Sequence, residues 1–182
     1  MLILHTSDWH LGRAFKKVPL LDAQKGFVDE LIQVIKDRQV DLVVVAGDIF
    51  DRGLPPVEAV IVWNDALERI TQAGAQVVAI SGNHDQGERI EKKPSLTKTG
   101  IVVRGTREAS LATLEFDDGP LTVVTVPFLD PFMARQLSQD EGAATHQSVI
   151  EGALAQVADQ VAESSRSLVV AHAFVTGGEG SE

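Results

Sequence analysis

The stretch Leu42–Gly53, LVVVAGDIFDRG, constrains the fold of this chain more than any other. Leu42, Val43, Val44, Val45 and Ala46 follow one another without a polar residue, are rich in β-branched side chains and end at a glycine, so they read as a short strand buried on both faces. Asp48 comes directly after Gly47. In open α/β sheets the chemistry sits in the crevice beyond the carboxyl ends of the strands. Asp48 is therefore the candidate centre of an active site.

The surrounding pattern supports a sheet of parallel strands. Residues 2–7, LILHTS, read as a first strand running into Asp8, Trp9 and His10. From Asp22 to Arg38, Phe27, Val28, Leu31, Ile32, Val34 and Ile35 recur at helical spacing. After the central strand, Pro55-Pro56 suits a helix start, Val60, Trp63, Leu67 and Ile70 line one face, and Gly74 fits the stop. Gln76–Ile80 is a third strand, ending at Ser81-Gly82-Asn83-His84-Asp85. Strand, helix, strand, helix, strand implies right-handed parallel crossovers, with all three strand ends on one edge.

Residues 86–100 read as an exposed charged loop with one helical turn, and Ile101–Val103 as another strand. Leu111–Phe116 and Leu121–Val126 flank the turn cluster Asp117-Asp118-Gly119-Pro120, so an antiparallel hairpin opens a second sheet. Val149–Val161 reads as a third amphipathic helix, Ser167–Ala171 as a strand ending at His172, and the closing Gly/Ser/Glu segment as a loop. The fold class expected is a two-sheet α/β sandwich with flanking helices, in one domain over residues 1–182.

With 44% hydrophobic and 23% charged residues, the composition is that of a soluble globular protein. The absence of cysteine excludes disulfides and thiolate metal sites and suits a reducing cytoplasm. The first ten residues are too short an apolar run for a signal peptide, and no run approaches a membrane span. A net charge of −10 argues against gripping nucleic acid by blanket phosphate neutralisation. Cations in the site, or a basic partner, would have to bring a polyanion in.

Four expected strands end in Asp8/His10, Asp48, Asn83/His84 and His172. Each residue alone has an ordinary explanation, as a turn former or a hydrogen-bonded histidine. Together they offer carboxylate, imidazole and amide oxygen without sulfur, which suits octahedral divalent ions of the Mn, Fe(II) or Mg kind. Several such ligands on one edge point to two metals about 3.5–4 Å apart sharing a carboxylate, with Asp48 as the natural bridge. Two divalent ions outweigh the charges of Asp8 and Asp48, and the surplus attracts a phosphate ester even on an acidic protein.

Asp8-Trp9-His10, Gly47-Asp48-Ile49-Phe50-Asp51, Gly82-Asn83-His84-Asp85 and His172 resemble the ordered motifs of the calcineurin-like metallophosphoesterases. Within them, Ser7–Arg13, Ala46–Asp51 followed by Pro55-Pro56, and His172-Ala173-Phe174 resemble the SbcD family, the nuclease subunits of bacterial SbcCD complexes. The resemblance implies that Asp8 and His10 hold one metal, Asp48 bridges, and Asn83 and His172 hold the other, with Mn the expected ion. It implies that His84 is a general acid rather than a ligand, protonating the leaving oxygen while a metal-activated hydroxide attacks phosphorus in line. Asp51 would orient His84 or its loop; a surface ion pair or turn for Asp51 and Arg52 carries equal weight.

The implied activity is metal-dependent cleavage of DNA by a dinuclear phosphodiesterase, exonuclease or endonuclease, acting in DNA repair and recombination. The implied partners are DNA, an SbcC-like ATPase that supplies the grip an acidic chain lacks, and a second copy, since many relatives pair their catalytic domains. The sequence shows no apolar stripe that marks a pairing surface. The family closes its motifs with Gly-His-x-His, giving each metal one more imidazole, and this chain has no such segment. An N-terminal fragment of a longer chain is the expectation that follows. Of the remaining histidines, His5 is expected to be packed and His146 exposed. Two other functions stand beside the nuclease: hydrolysis of a small phosphate ester, and a non-catalytic interaction module.

Overall fold

The computed structural model describes residues 1–91, 100–106, 108–132 and 145–175. Its first sheet consists of β1 (Ile3–Thr6), β4 (Leu42–Ala46), β5 (Gln76–Ile80) and β6 (Ile101–Arg104), parallel and side by side in that order. The crossovers are α1 (Leu21–Arg38) and α2 (Val57–Gln72). Leu42–Ala46 is buried at all five positions, as a strand covered on both faces must be. One face packs Val43, Val45, Val77 and Ala79 against Leu31 and Ile35 of α1 and Trp63, Leu67 and Ile70 of α2. The opposite face packs Leu42, Val44, Val78 and Ile80 against the second sheet.

That second sheet contains β7 (Ser110–Leu114), β8 (Leu121–Val126) and β9 (Ser167–Ala171), with β7 antiparallel and β9 parallel to β8. Leu114, Leu121, Val123 and Val170 meet the first sheet, while Val124 and Val126 pack outward against Ala153 and Val157. The result is four layers: helix, sheet, sheet, helix. Trp63 is fully buried in the helix layer, 5.5 Å and nearly perpendicular to Trp9. Trp63→Ala should cost about 3–5 kcal/mol, read as a lowered urea midpoint at constant m-value.

Where expectation and structure differ, packing decides. Residues 146–162 form two helices, α4 (His146–Ala155) and α5 (Ala158–Ala162), instead of one. The break falls at Gln156 and Val157, between the two helices, and Val157, at φ −111° and ψ 0°, is buried beneath β8. His5 is exposed rather than packed, because β1 is the edge strand and only Ile3 and Leu4 pack against the two core clusters. His146 is half-buried rather than exposed, since its ring meets Phe128 and Phe174. Within the expected charged loop, Gly87–Glu91 forms the short helix α3; residues 92–99 lie outside the described residues, as does the closing segment 176–182. A two-residue hairpin, β2 (Ala14–Phe15) with β3 (Val18–Pro19), follows the first strand unannounced.

The turn between β7 and β8 also ties down the chain start. The Met1 ammonium and the Arg166 guanidinium both bind Asp118, at 2.9 and 3.0 Å. Hydrogen bonds from these cations, Arg166 foremost, hold the Asp118 carboxyl far below the ordinary carboxylate range. A depressed folded-state pKa gives stability that is present above the unfolded value and lost as pH falls through the folded one. Asp118→Asn should therefore lower stability at neutral pH and flatten its loss below pH about 4, with little effect in 1 M salt because the pair is exposed. Thermal melts against pH and salt measure this.

Candidate metal centre

The site is built by the loops after β1, β4, β5 and β9, which open on the same edge of the sandwich. The first two loops continue the parallel pairing beyond their strands. Asp8 N–H donates to the Gly47 carbonyl, His10 N–H to Asp48 and Leu11 N–H to Ile49, at 2.9–3.0 Å. Gln24 of α1 fastens the first loop from beneath, donating to the Trp9 and His10 carbonyls and accepting from Gly12 N–H. Asp8, His10 and Asp48 all have positive φ, at 57°, 43° and 50°. Non-glycine residues adopt that region at a cost, and such strain gathers where a site needs side chains aimed in unusual directions.

Asp48 lies between two imidazoles. Its Oδ2 is 3.7 Å from His10 Nε2, and its Oδ1 is 3.7 Å from His172 Nε2. Asp8 Oδ1 stands 3.9 Å from His10 Nε2, and Asn83 Oδ1 stands 3.1 Å from His172 Nε2. His172 Nδ1–H donates to the Ala46 carbonyl at 2.7 Å, which leaves Nε2 as a lone pair facing the oxygens of Asn83 and Asp48. A lone pair facing oxygen acceptors is repulsive until a cation lies between them. The 3.7–3.9 Å separations are too long for hydrogen bonds but match donors around one ion with about 2.0–2.2 Å bonds.

The backbone is also cut away for this arrangement. A Cβ on Gly47, where φ is +95°, would collide with the His172 ring, and one on Gly82 would collide with the Asp48 carboxylate. The residues present therefore fit divalent metal ions. The carboxylates, imidazoles and Asn83 are hard or borderline donors, and the carboxylate of Asp48 is divided between two histidines. Two donor sets meet the distances for one ion each, His10, Asp48 and His84, and Asp8, Asp48 and His172.

His84 is exposed at the rim, its ring centroid 4.8 Å from that of His10. Its backbone N–H donates to Asp48 Oδ1 at 2.9 Å, and its Nδ1 meets the Asp51 carbonyl at 2.9 Å. With Nδ1–H held there, Nε2 is the ring nitrogen left to take or give a proton. Asp51 thus touches His84 through its backbone, while its carboxylate lies 3.9 Å from His10 Nδ1 and 3.8 Å from Arg13 Nε. Arg52 lies in the same loop, and no contact to the donors involves it among the described residues.

Two supporting residues escape a reading of ligand motifs. Gln24 is one. Asp85 is the other, accepting from Ile49, Phe50 and Gly82 N–H at 3.0, 2.8 and 2.9 Å and so joining the second and third loops. Burial pushes its carboxyl up, against the pull of those N–H groups. Its place at the end of Gly-Asn-His-Asp was the available signal. Asp85→Asn should weaken Mn binding about 10–100-fold, because it loosens the loop carrying Asp48; isothermal titration measures this.

The α/β sandwich thus places one carboxylate between two histidines, a donor set suited to divalent metal ions. The chain belongs to the calcineurin-like phosphoesterase family, whose family model matches residues 1–142. His172 lies beyond that match and joins the site through the geometry of β9. No helix among the described residues is long and apolar enough to cross a membrane.

Proposed function

We propose that the chain is a DNA-cleaving phosphodiesterase of the SbcD kind, working with an ATPase partner in DNA repair and recombination. The observation that carries this reading is the division of the Asp48 carboxylate between His10 and His172, with His84 held beside the pair by the Asp51 carbonyl. Asp8 and His10 serve one ion, Asn83 and His172 the other, with Asp48 between. When bound, two divalent ions, Mn by preference, would polarise the phosphoryl oxygens and supply hydroxide at neutral pH.

The chain's own residues do the rest. Asp48 and Asp85 hold three loops in register, and the Asp48 carboxylate positions the His84 backbone. His84, with Nδ1–H donated to the Asp51 carbonyl, carries on Nε2 the proton that an alkoxide leaving group needs. Polymer rather than small substrate is favoured by openness: the Asp8 side chain is 55% exposed and Asn83 and His84 are exposed, whereas small-molecule sites enclose their ligands. Arg13, Lys16 and Lys17, all exposed just beyond His10, supply local positive charge on an acidic chain. Pairing into a homodimer is supported by Leu54, Val57 and Ile61, each at least 60% exposed around the start of α2. A cytoplasmic location follows from this reading.

The test is Mn-dependent cleavage of end-labelled linear duplex DNA beside a chromogenic phosphodiester. Cleavage of the DNA is expected. Diester turnover without DNA cleavage would replace the nuclease with a small-ester hydrolase. Silence on both, with no Mn-induced rise in melting temperature, would point to an interaction module.

A further inference from the structure

Beside the centre stands an aromatic cluster that the hydrolytic chemistry does not use. Phe128 lies 6.2 Å from the His172 ring and 5.3 Å from that of His146. Phe174 lies 5.1 Å from His146 and 6.4 Å from Phe128, close to perpendicular to both. Backbone hydrogen bonds tie its base to the sandwich. Phe128 N–H donates to the Ser81 carbonyl at 3.0 Å, directly before the Gly82-Asn83-His84 loop, and His172 N–H donates to Val126. His146 opens α4, whose cap is a Thr145–Ser148 box.

Held by two perpendicular neighbours, Phe174 still keeps 71% of its surface in solvent. With Val175, 84% exposed beside it, Phe174 forms an open apolar surface next to the polar donor set, the kind of surface that marks a ligand-binding site. A phosphate held at the centre carries its nucleobase one sugar ring away; Phe128 stands beside the donor His172, ring to ring at 6.2 Å, and Phe174 stands beside Phe128. Every base has a π-face, so aromatic stacking binds single strands without choosing sequence. It also supplies attraction that does not depend on positive charge, which suits a chain of net charge −10.

The geometry points to Phe174, backed by Phe128 and His146, as a stacking subsite for an unpaired nucleobase flanking the phosphate that is cut. This rests on the nuclease reading and narrows its substrate to strands whose bases are free at the site. Phe174 is here a specificity-determining residue that touches substrate, and takes no part in proton transfer.

The full chain with Mn is mixed in stopped flow with a single-stranded oligonucleotide carrying 2-aminopurine next to the cut position, and steady-state cleavage is compared with the same strand made abasic there. The wild-type chain should quench 2-aminopurine before turnover. Phe174→Ala should abolish the quench and raise KM on the order of ten-fold for the base-bearing strand but much less for the abasic one, with Phe174→Trp restoring both. A full quench and unaltered KM in Phe174→Ala would overturn the stacking subsite and leave the nuclease reading standing. Absence of both cleavage and quench in the wild-type chain would overturn the two together. Circular dichroism of Phe174→Ala, a change at an exposed ring, guards against reading a folding defect as lost stacking.

Discussion

His84→Gln should lower kcat for phosphodiester hydrolysis by about 10²–10⁴-fold, the usual contribution of a positioned acid or base, while Mn stoichiometry stays unchanged. The reason lies in how His84 is held. Both of its anchors, backbone N–H to Asp48 Oδ1 and Nδ1 to the Asp51 carbonyl, survive in part with glutamine: the first is untouched, and the side-chain amide can still donate to Asp51. What glutamine lacks is a titratable position at the rim. The loss should therefore shrink for a substrate whose leaving group is acidic, such as a nitrophenolate, because such a group departs without a proton. His84 also stands within ligand distance of His10 and Asp48, so the same variant separates two roles. Equal losses on both leaving groups together with a lost ion would make His84 a ligand and end its assignment as an acid.

The parallel half of the fold was legible because its signals are local and consistent. An all-apolar five-residue run ending in Gly-Asp, two helices with the right period, and Pro and Gly at helix ends all indicate one topology. The motif residues were legible for the same reason: each follows a strand on one edge. Tertiary contacts supplied what the sequence concealed. Val157 breaks a helix whose apolar period runs on, because burial under β8 outweighs continuity. His5 is in solvent because edge position, unlike strand period, is not written locally. The β2–β3 hairpin turns through Lys16 and Lys17 at φ 47° and 71°, positions where Asn or Gly is the usual signal, so nothing announced it. The supports of the centre were hidden too, since Gln24 acts across fourteen or fifteen residues on the Trp9–His10 carbonyls and Asp85 across more than thirty on Ile49 and Phe50. An apolar exposed group at Leu54, Val57 and Ile61 became visible only once α2 was placed against α1 and the sheet.

Asp48→Asn should separate stability from function. Among the described residues, the metal-free Asp48 carboxylate, 5% exposed, meets the His84 N–H and two imidazole nitrogens at 3.7 Å, with Asp85 nearby as a second acid. A buried charge without a close counterion costs free energy. Asparagine keeps the shape, keeps an oxygen to accept the His84 N–H, removes the charge, and tolerates φ 50° better than most residues. The metal-free variant should therefore be as stable as the native chain or more so, by about 0.5–2 kcal/mol. The same change removes the shared ligand, and with it the negative charge that draws both ions. Mn affinity should fall by more than about 100-fold, beyond the loss expected for an outer-shell partner, and the Mn-induced rise in melting temperature should vanish with activity. Melts with and without Mn read both halves at once. An Asn variant that is destabilised without metal would mean that Asp48 is held by the fold for structure, and one that keeps the Mn-induced rise would mean that Asp48 does not bridge.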